Sequence, residues 1–337
     1  MPLNGPHHGL STGLARELAD SAVVRELAQL DRTESALVLA SGMAAVACTM
    51  VSLLRPGDHL LASRWLRPET RRFFEHELPA LGVQVSFIDP TETRGWRRAL
   101  TRTTRLLYLE SPVDPSTRVV DMRPVRTIAQ ELGIALVVDA TLASPINFRP
   151  VEHGADVVLH TASLFLDGHD DGFAGVVCGS EAVVDEVRTK MRAWGAEPHP
   201  VAVQQLARGL KTLGVRVARQ NETAMAVARW AASQMVHNGA LHVVRYPGLA
   251  THPDHAVAAE CFTGYGNLIA ITLRDGDAAV SELLSRLQRI RVYNAERAAG
   301  RGGVDTVASA LPDGAIRLSI GLEDASTVIG DLTQALE

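Results

Sequence analysis

The chain has 337 residues, 46% of them hydrophobic and 21% charged, with a formal net charge of −5 at pH 7. This length allows one large or two ordinary domains with a sizeable core, and the apolar and charged fractions are ordinary globular values. The mildly acidic balance, with no basic cluster interleaved with aromatics, argues against a nucleic-acid partner, and no run approaches the ~20 uninterrupted apolar residues of a membrane span.

The N-terminus Met1-Pro2-Leu3-Asn4-Gly5-Pro6-His7-His8 has no charged region followed by an apolar run, so no signal peptide is expected and the protein reads as soluble and cytoplasmic. Residues 12–30 then carry helical apolar spacing through Leu14, Leu18, Val23, Val24, Leu27 and Leu30. After them, short β-prone runs alternate with helical stretches. The runs are Ala36–Leu39, His59–Ala62, Val83–Ile88, Arg105–Leu109, Ile134–Val138, Asp156–His160 and Gly175–Cys178, with helices expected near 43–54, 69–81, 123–132 and 182–194. Near-continuously apolar strands separated by helices predict an α/β fold with a mostly parallel sheet covered on both faces. In such folds ligands sit at the carboxyl ends of the strands.

A long helical stretch is expected around 200–237. Beyond Tyr246-Pro247-Gly248 the pattern becomes α+β, with strands near His242–Arg245, Leu268–Leu273 and Ala315–Ile320 and helices near 278–289 and 325–336. The reading divides the chain into an N-terminal helical segment (1–30), a large α/β domain (31–239) and a small C-terminal α+β domain (240–337). Arg297–Gly303 reads as a flexible Gly/Arg-rich connection. Cys48, Cys178 and Cys261 lie far apart without CxxC spacing, which predicts buried thiols in a reducing compartment rather than a zinc site or disulfides.

Three local patterns carry chemistry. Ala36–Ala40 followed by Ser41-Gly42-Met43 is a strand-to-helix turn. Its exposed N–H groups and helix dipole favour a phosphate, although the same residues also make an ordinary helix cap. Asp139 closes the apolar strand Ile134–Val138, and His169-Asp170-Asp171 gathers acid/base groups that could suggest a metal site, although no metal is expected there.

The stretch Ala155-Asp156-Val157-Val158-Leu159-His160-Thr161-Ala162-Ser163-Leu164-Phe165-Leu166-Asp167-Gly168-His169-Asp170-Asp171 resembles the cofactor-attachment segment of the Cys/Met-metabolism pyridoxal phosphate enzymes, the family of the cystathionine γ-synthases and γ-lyases. Other landmarks keep the family's order: Leu54-Arg55-Pro56-Gly57-Asp58-His59, Glu110-Ser111-Pro112, Arg208-Gly209-Leu210-Lys211-Thr212-Leu213, Tyr246-Pro247-Gly248-Leu249 and Gly302-Gly303-Val304. The resemblance implies an aminotransferase-like fold of type I. It assigns Ser41, Gly42, Met43, Thr161 and Ser163 to the cofactor phosphate, Asp139 to the pyridinium nitrogen and Arg317 to a substrate α-carboxylate.

The departures from the family pattern are as specific. Leu164 stands at the position of the lysine that forms the aldimine and then moves protons. The whole chain has only two lysines, Lys190 and Lys211, and both read as structural or surface residues. Arg67, with Trp65 close by, aligns with the tyrosine that stacks on the ring. Asp114 and Ala140 replace asparagines, and Gly300 replaces a serine near the substrate carboxylate. The N-terminal arm that reaches into a neighbouring subunit is shortened.

Without the lysine, no cofactor is expected to be covalently bound, while non-covalent pyridoxal phosphate stays open. Candidate catalytic groups are Arg67, Asp114, His169 and Asp170. The favoured expectation is a protein that binds an anionic, amino-acid-like or phosphorylated small molecule with non-standard, aldimine-independent chemistry in specialised biosynthesis, lyase- or transferase-like if active. The alternative is an inactive pseudoenzyme that binds or assembles with an active paralogue, and ordinary transsulfuration ranks last. Family dimers share sites, so a homodimer, a homotetramer or a mixed oligomer with that paralogue is implied.

Overall fold

The computed structural model describes residues 22–169, 171–237, 239–293 and 303–337. The first part of the expected N-terminal helix, Asp170, Gly300 and most of the Arg297–Gly303 connection lie outside the described residues. Residues 22–31 are helical.

Seven strands form the large sheet: β1 (Ser35–Leu39), β2 (His59–Ser63), β3 (Gln84–Ile88), β4 (Thr104–Glu110), β5 (Ala135–Asp139), β6 (Val157–Thr161) and β7 (Gly175–Gly179). Their spatial order is β1-β7-β6-β5-β4-β2-β3. β7 runs antiparallel to both its neighbours, and the other pairings are parallel. The inner strands are largely apolar because both of their faces are covered. Ala36, Val38, Leu136 and Val138 enter the core on one face, and Leu37, Leu39 and Val137 enter it on the other.

Helices fall close to their expected places, and local chemistry sets their ends. The helix Met122–Leu132 starts on Asp121, whose side chain accepts from Arg123 N, and stops at Gly133 in the left-handed conformation. Two expected helices are broken. The stretch 69–81 is an α-helix (Pro68–Arg72), a π-turn (Phe73–Glu77) and a final turn (Leu78–Ala80). Pro79 has no N–H to continue the ladder, and the wider turn absorbs the gap. The stretch 200–237 divides into Pro200–Leu210 and Leu213–His237. At the break, Arg216 turns its guanidinium onto the carbonyls of Gly209 (2.8 Å) and Phe165 (2.8 Å).

The second sheet has the order β10-β11-β12-β9-β8. It comprises β8 (Leu241–Arg245), β9 (Leu268–Leu273), β10 (Arg291–Tyr293), β11 (Val307–Leu311) and β12 (Ala315–Ser319). β10 and β11 carry no strong alternation and went unread in the sequence. β10 pairs with β11 and β11 with β12, and the helix Gly276–Arg286 packs against β11. Among the described residues, no helix is long and apolar enough to cross a membrane.

Candidate functional site

Four neighbouring strand ends build the site. Glu110 ends β4, Asp139 ends β5 and Thr161 ends β6, while Arg67 follows β2 in the short connection to the helix at Pro68. Glu110 and Asp139 share a register position on adjacent parallel strands, which sets their backbones ~4.8 Å apart. Two buried carboxylates in that arrangement repel, and a cation between them relieves the repulsion.

Arg67 is that cation. A residue before proline is held in extended conformation, and Arg67 has φ −61° and ψ 147° ahead of Pro68. Its Nη2 donates to Asp139 Oδ2 at 2.6 Å and its Nη1 to Thr161 Oγ1 at 3.1 Å. Its backbone N–H donates to Glu110 Oε2 at 2.9 Å, and its Nε lies 3.7 Å from the same oxygen. Burial works against the Arg67 charge, but the nearby Asp139 and Glu110 outweigh it and raise its pKa.

Asp139 is engaged at both carboxylate oxygens. Besides Arg67, its Oδ1 accepts from Thr141 N (2.9 Å) and Thr141 Oγ1 (2.5 Å). Glu110 is pushed up to about 8, first by burial and then by the Asp139 charge, against the opposing pull of Arg67. Its Oε1 is buried with no hydrogen-bond partner among the described residues. Glu110 appeared in the sequence only as a landmark. Two apolar strands that each end in a carboxylate were the signal that could have marked it.

A second ion pair lies between the sheets. Arg317 on β12 donates through Nε to Asp114 Oδ1 at 2.8 Å and through Nη2 to Asp114 Oδ2 at 3.0 Å. Both side chains are buried. The fork-to-fork geometry is the one a guanidinium uses for a free carboxylate.

The residues expected at a phosphate site are partly brought together. Gly42 opens the helix Gly42–Leu53 directly against Thr161, where any added Cβ would overlap the threonine hydroxyl. The Ser41 hydroxyl is used within the helix as its cap and accepts from Ala44 N at 3.1 Å. Met43 and Ser163 are half-buried. Ala140 is buried in the core, and Trp65 carries the Arg118 guanidinium over its ring at 4.1 Å.

Leu164 is 1% exposed and belongs to the same core cluster as Leu206, Leu210 and Leu213. Lys211 is exposed and pairs with Glu26 at 3.2 Å. Lys190 is half-buried on the helix Glu181–Trp194. His169 and Asp171 are exposed, and Asp171 pairs with Arg208 at 3.4 Å. Neither joins the Arg67–Asp139 group. Among the described residues, no group of three or more His, Cys, Asp or Glu side chains could hold a metal ion.

A mostly parallel sheet whose strand ends present a paired aspartate, flanked by a second sheet bearing a buried arginine, defines an α/β protein of the type I aminotransferase-like class. Residues 15–310 match the family model described as Cys/Met metabolism PLP-dependent enzyme, and the chain belongs to that family. It is 35% identical over 328 residues to an L-methionine gamma-lyase from Pseudomonas putida, covering 92% of this chain and 81% of that protein. A cystathionine beta-lyase from Coxiella burnetii is 32% identical over 353 residues, with 98% and 89% covered. The crystal structure of metB from Corynebacterium glutamicum superposes with a TM-score of 0.87 at 28% identity, over 93% of this chain and 83% of that one.

Proposed function

We propose that this chain is a family member that does not run lyase or transsulfuration chemistry through a pyridoxal phosphate aldimine, and that its fold serves binding and assembly instead. The observation that carries the reading is Arg67. Its guanidinium bridges Asp139 and Thr161, the residues that the resemblance assigns to the pyridinium nitrogen and the phosphate.

The residues present do not fit the cofactor in the family's manner. A protonated ring nitrogen needs an open carboxylate, and Asp139 already accepts from Arg67 and twice from Thr141. Leu164 stands at the resemblance's lysine position, and its alkyl side chain can neither form an imine nor move a proton. The general base normally supplied there is typically worth ~10²–10⁴-fold in rate.

The sequence favoured altered chemistry on an anionic ligand over a non-catalytic role. The internal pairing of Arg67 with Asp139, and of Arg317 with Asp114, reverses that order. The two charged anchors that would meet a ligand, Asp139 and Arg317, already have a counter-charge from the chain itself. A second reading, retention of an anion at the start of the helix Gly42–Leu53, is favoured by the close packing of Gly42 on Thr161. A second copy of the chain, or an active paralogue, is the partner this reading calls for.

The test is borohydride trapping. The purified chain is incubated with pyridoxal phosphate, reduced, digested and mapped by mass spectrometry. We expect no aldimine absorbance and no reduced adduct at a specific site. A stoichiometric adduct on Lys190 or Lys211 would overturn the proposal.

A further inference from the structure

The loop that presents Asp114 is fixed without help from Arg317. Arg118 forks onto Asp254 at 2.6 and 3.0 Å, and Val119 N donates to the same carboxylate at 2.9 Å. Thr117 Oγ1 lies 3.2 Å from His252 Nε2, and its backbone N–H donates to Val113 O at 2.8 Å. Thr117 also holds a left-handed backbone conformation, with φ 57°. Arg317 is equally fixed, because its strand β12 is central in the second sheet and pairs Arg317 with Ala270 on one side and Ser309 on the other. Two pre-positioned groups therefore meet in a buried bidentate pair, and neither needs the other to reach its place.

A carboxylate held in this way competes with any free carboxylate at the high effective concentration of an intramolecular group. It offers the guanidinium fork the same two acceptor oxygens. We infer that Asp114 is a built-in surrogate for a ligand carboxylate, which keeps the Arg317 subsite closed to small monocarboxylates such as free amino acids and fastens the second sheet to the first. The inference deepens the proposed function and rests on it, because an internal counter-charge at Arg317 is what a pocket withdrawn from catalysis would carry.

Chemical rescue tests it. Removing one partner of a buried pair leaves an uncompensated charge, so Asp114→Ala should lower the melting temperature on the order of 5–10 °C. Acetate, added against chloride at equal ionic strength, should restore most of that loss by binding Arg317 in the folded state. The unaltered chain should not respond, and Asp114→Ala combined with Arg317→Met should lose the response.

Asp114→Gly opens the same space for acetate and should show the same carboxylate response, so it serves if the alanine variant fails to fold. Equal acetate shifts in variant and unaltered chain, or no shift in either variant, would overturn the inference. Borohydride trapping is indifferent to Asp114, so failure here and failure of the proposed function are separately visible.

Discussion

Arg67 Nη2 lies 2.6 Å from Asp139 Oδ2, across 72 residues of sequence, and the half-buried arginine meets the buried aspartate that the resemblance assigns to a cofactor ring. One protein cation thus stands opposite the aspartate that otherwise holds a ligand cation. Its energetic weight can be measured. Arg67→Met leaves Asp139 buried beside Glu110 without a counter-ion and should cost ~3–5 kcal/mol of unfolding free energy. The double change Arg67→Met with Asp139→Asn should be much less costly than the sum of the single changes. Denaturant titration of the four proteins reads the coupling, and strict additivity would remove Arg67 from its assigned role.

Glu110 makes the stability pH-dependent. In the folded protein burial pushes its carboxyl up to about 8, whereas an unfolded glutamate titrates near ~4.3. Between those values the folded state binds the extra proton. The Glu110 contribution is therefore fully present below about pH 4.3 and is lost as pH rises towards 8. Glu110→Gln should flatten the pH dependence of unfolding free energy across this window. An unchanged slope would place the titration elsewhere.

Leu164 is a core residue in this fold, and its substitutions should behave accordingly. Leu164→Ala should cost ~2–5 kcal/mol through the cavity it leaves. Leu164→Lys should also destabilise, because it places an ammonium at a buried core position. It should not yield a borohydride-trapped aldimine while Arg67 is present. Trapping in Leu164→Lys combined with Arg67→Tyr, and not in Leu164→Lys alone, is the expected pattern. Efficient trapping by the single variant would indicate that Arg67 does not block the ring.

Gly42→Ala separates propensity from packing. Alanine is favoured over glycine in a helix by ~1 kcal/mol, yet a Cβ at Gly42 would overlap the Thr161 hydroxyl. Overpacking of this kind costs ~1–3 kcal/mol, so a net loss of stability is expected by thermal denaturation. A gain would mean that the helix start and β6 can move apart.

Much of the fold was legible because its signals are local. Apolar strands such as Ala135–Val138 and Val157–Leu159 announce a doubly covered sheet, and caps such as Asp121 and Gly133 mark helix ends. The break at Lys211–Thr212 was not legible, since it depends on Arg216 reaching carbonyls 51 residues away. The exposed positions of His169 and Asp171 were equally hidden, because a residue's place in a motif does not say which way its turn faces solvent.

The sequence by itself determined the mostly parallel sheet and the strand-end position of Asp139 through periodicity and local motif, and its resemblance to a known family pointed to the family and to the leucine at position 164. The tertiary structure decided what the unusual residues do. Arg67 and Asp139 are 72 residues apart, and Asp114 and Arg317 are 203 apart. Neither distance carries a periodic signal, and the pairs exist only because adjacent strand ends and the second sheet converge on one buried place. There, desolvation leaves each buried charge dependent on a partner. Read in sequence alone, Arg67 and Asp114 look like lost family residues, and in the fold each supplies the counter-charge to a retained one.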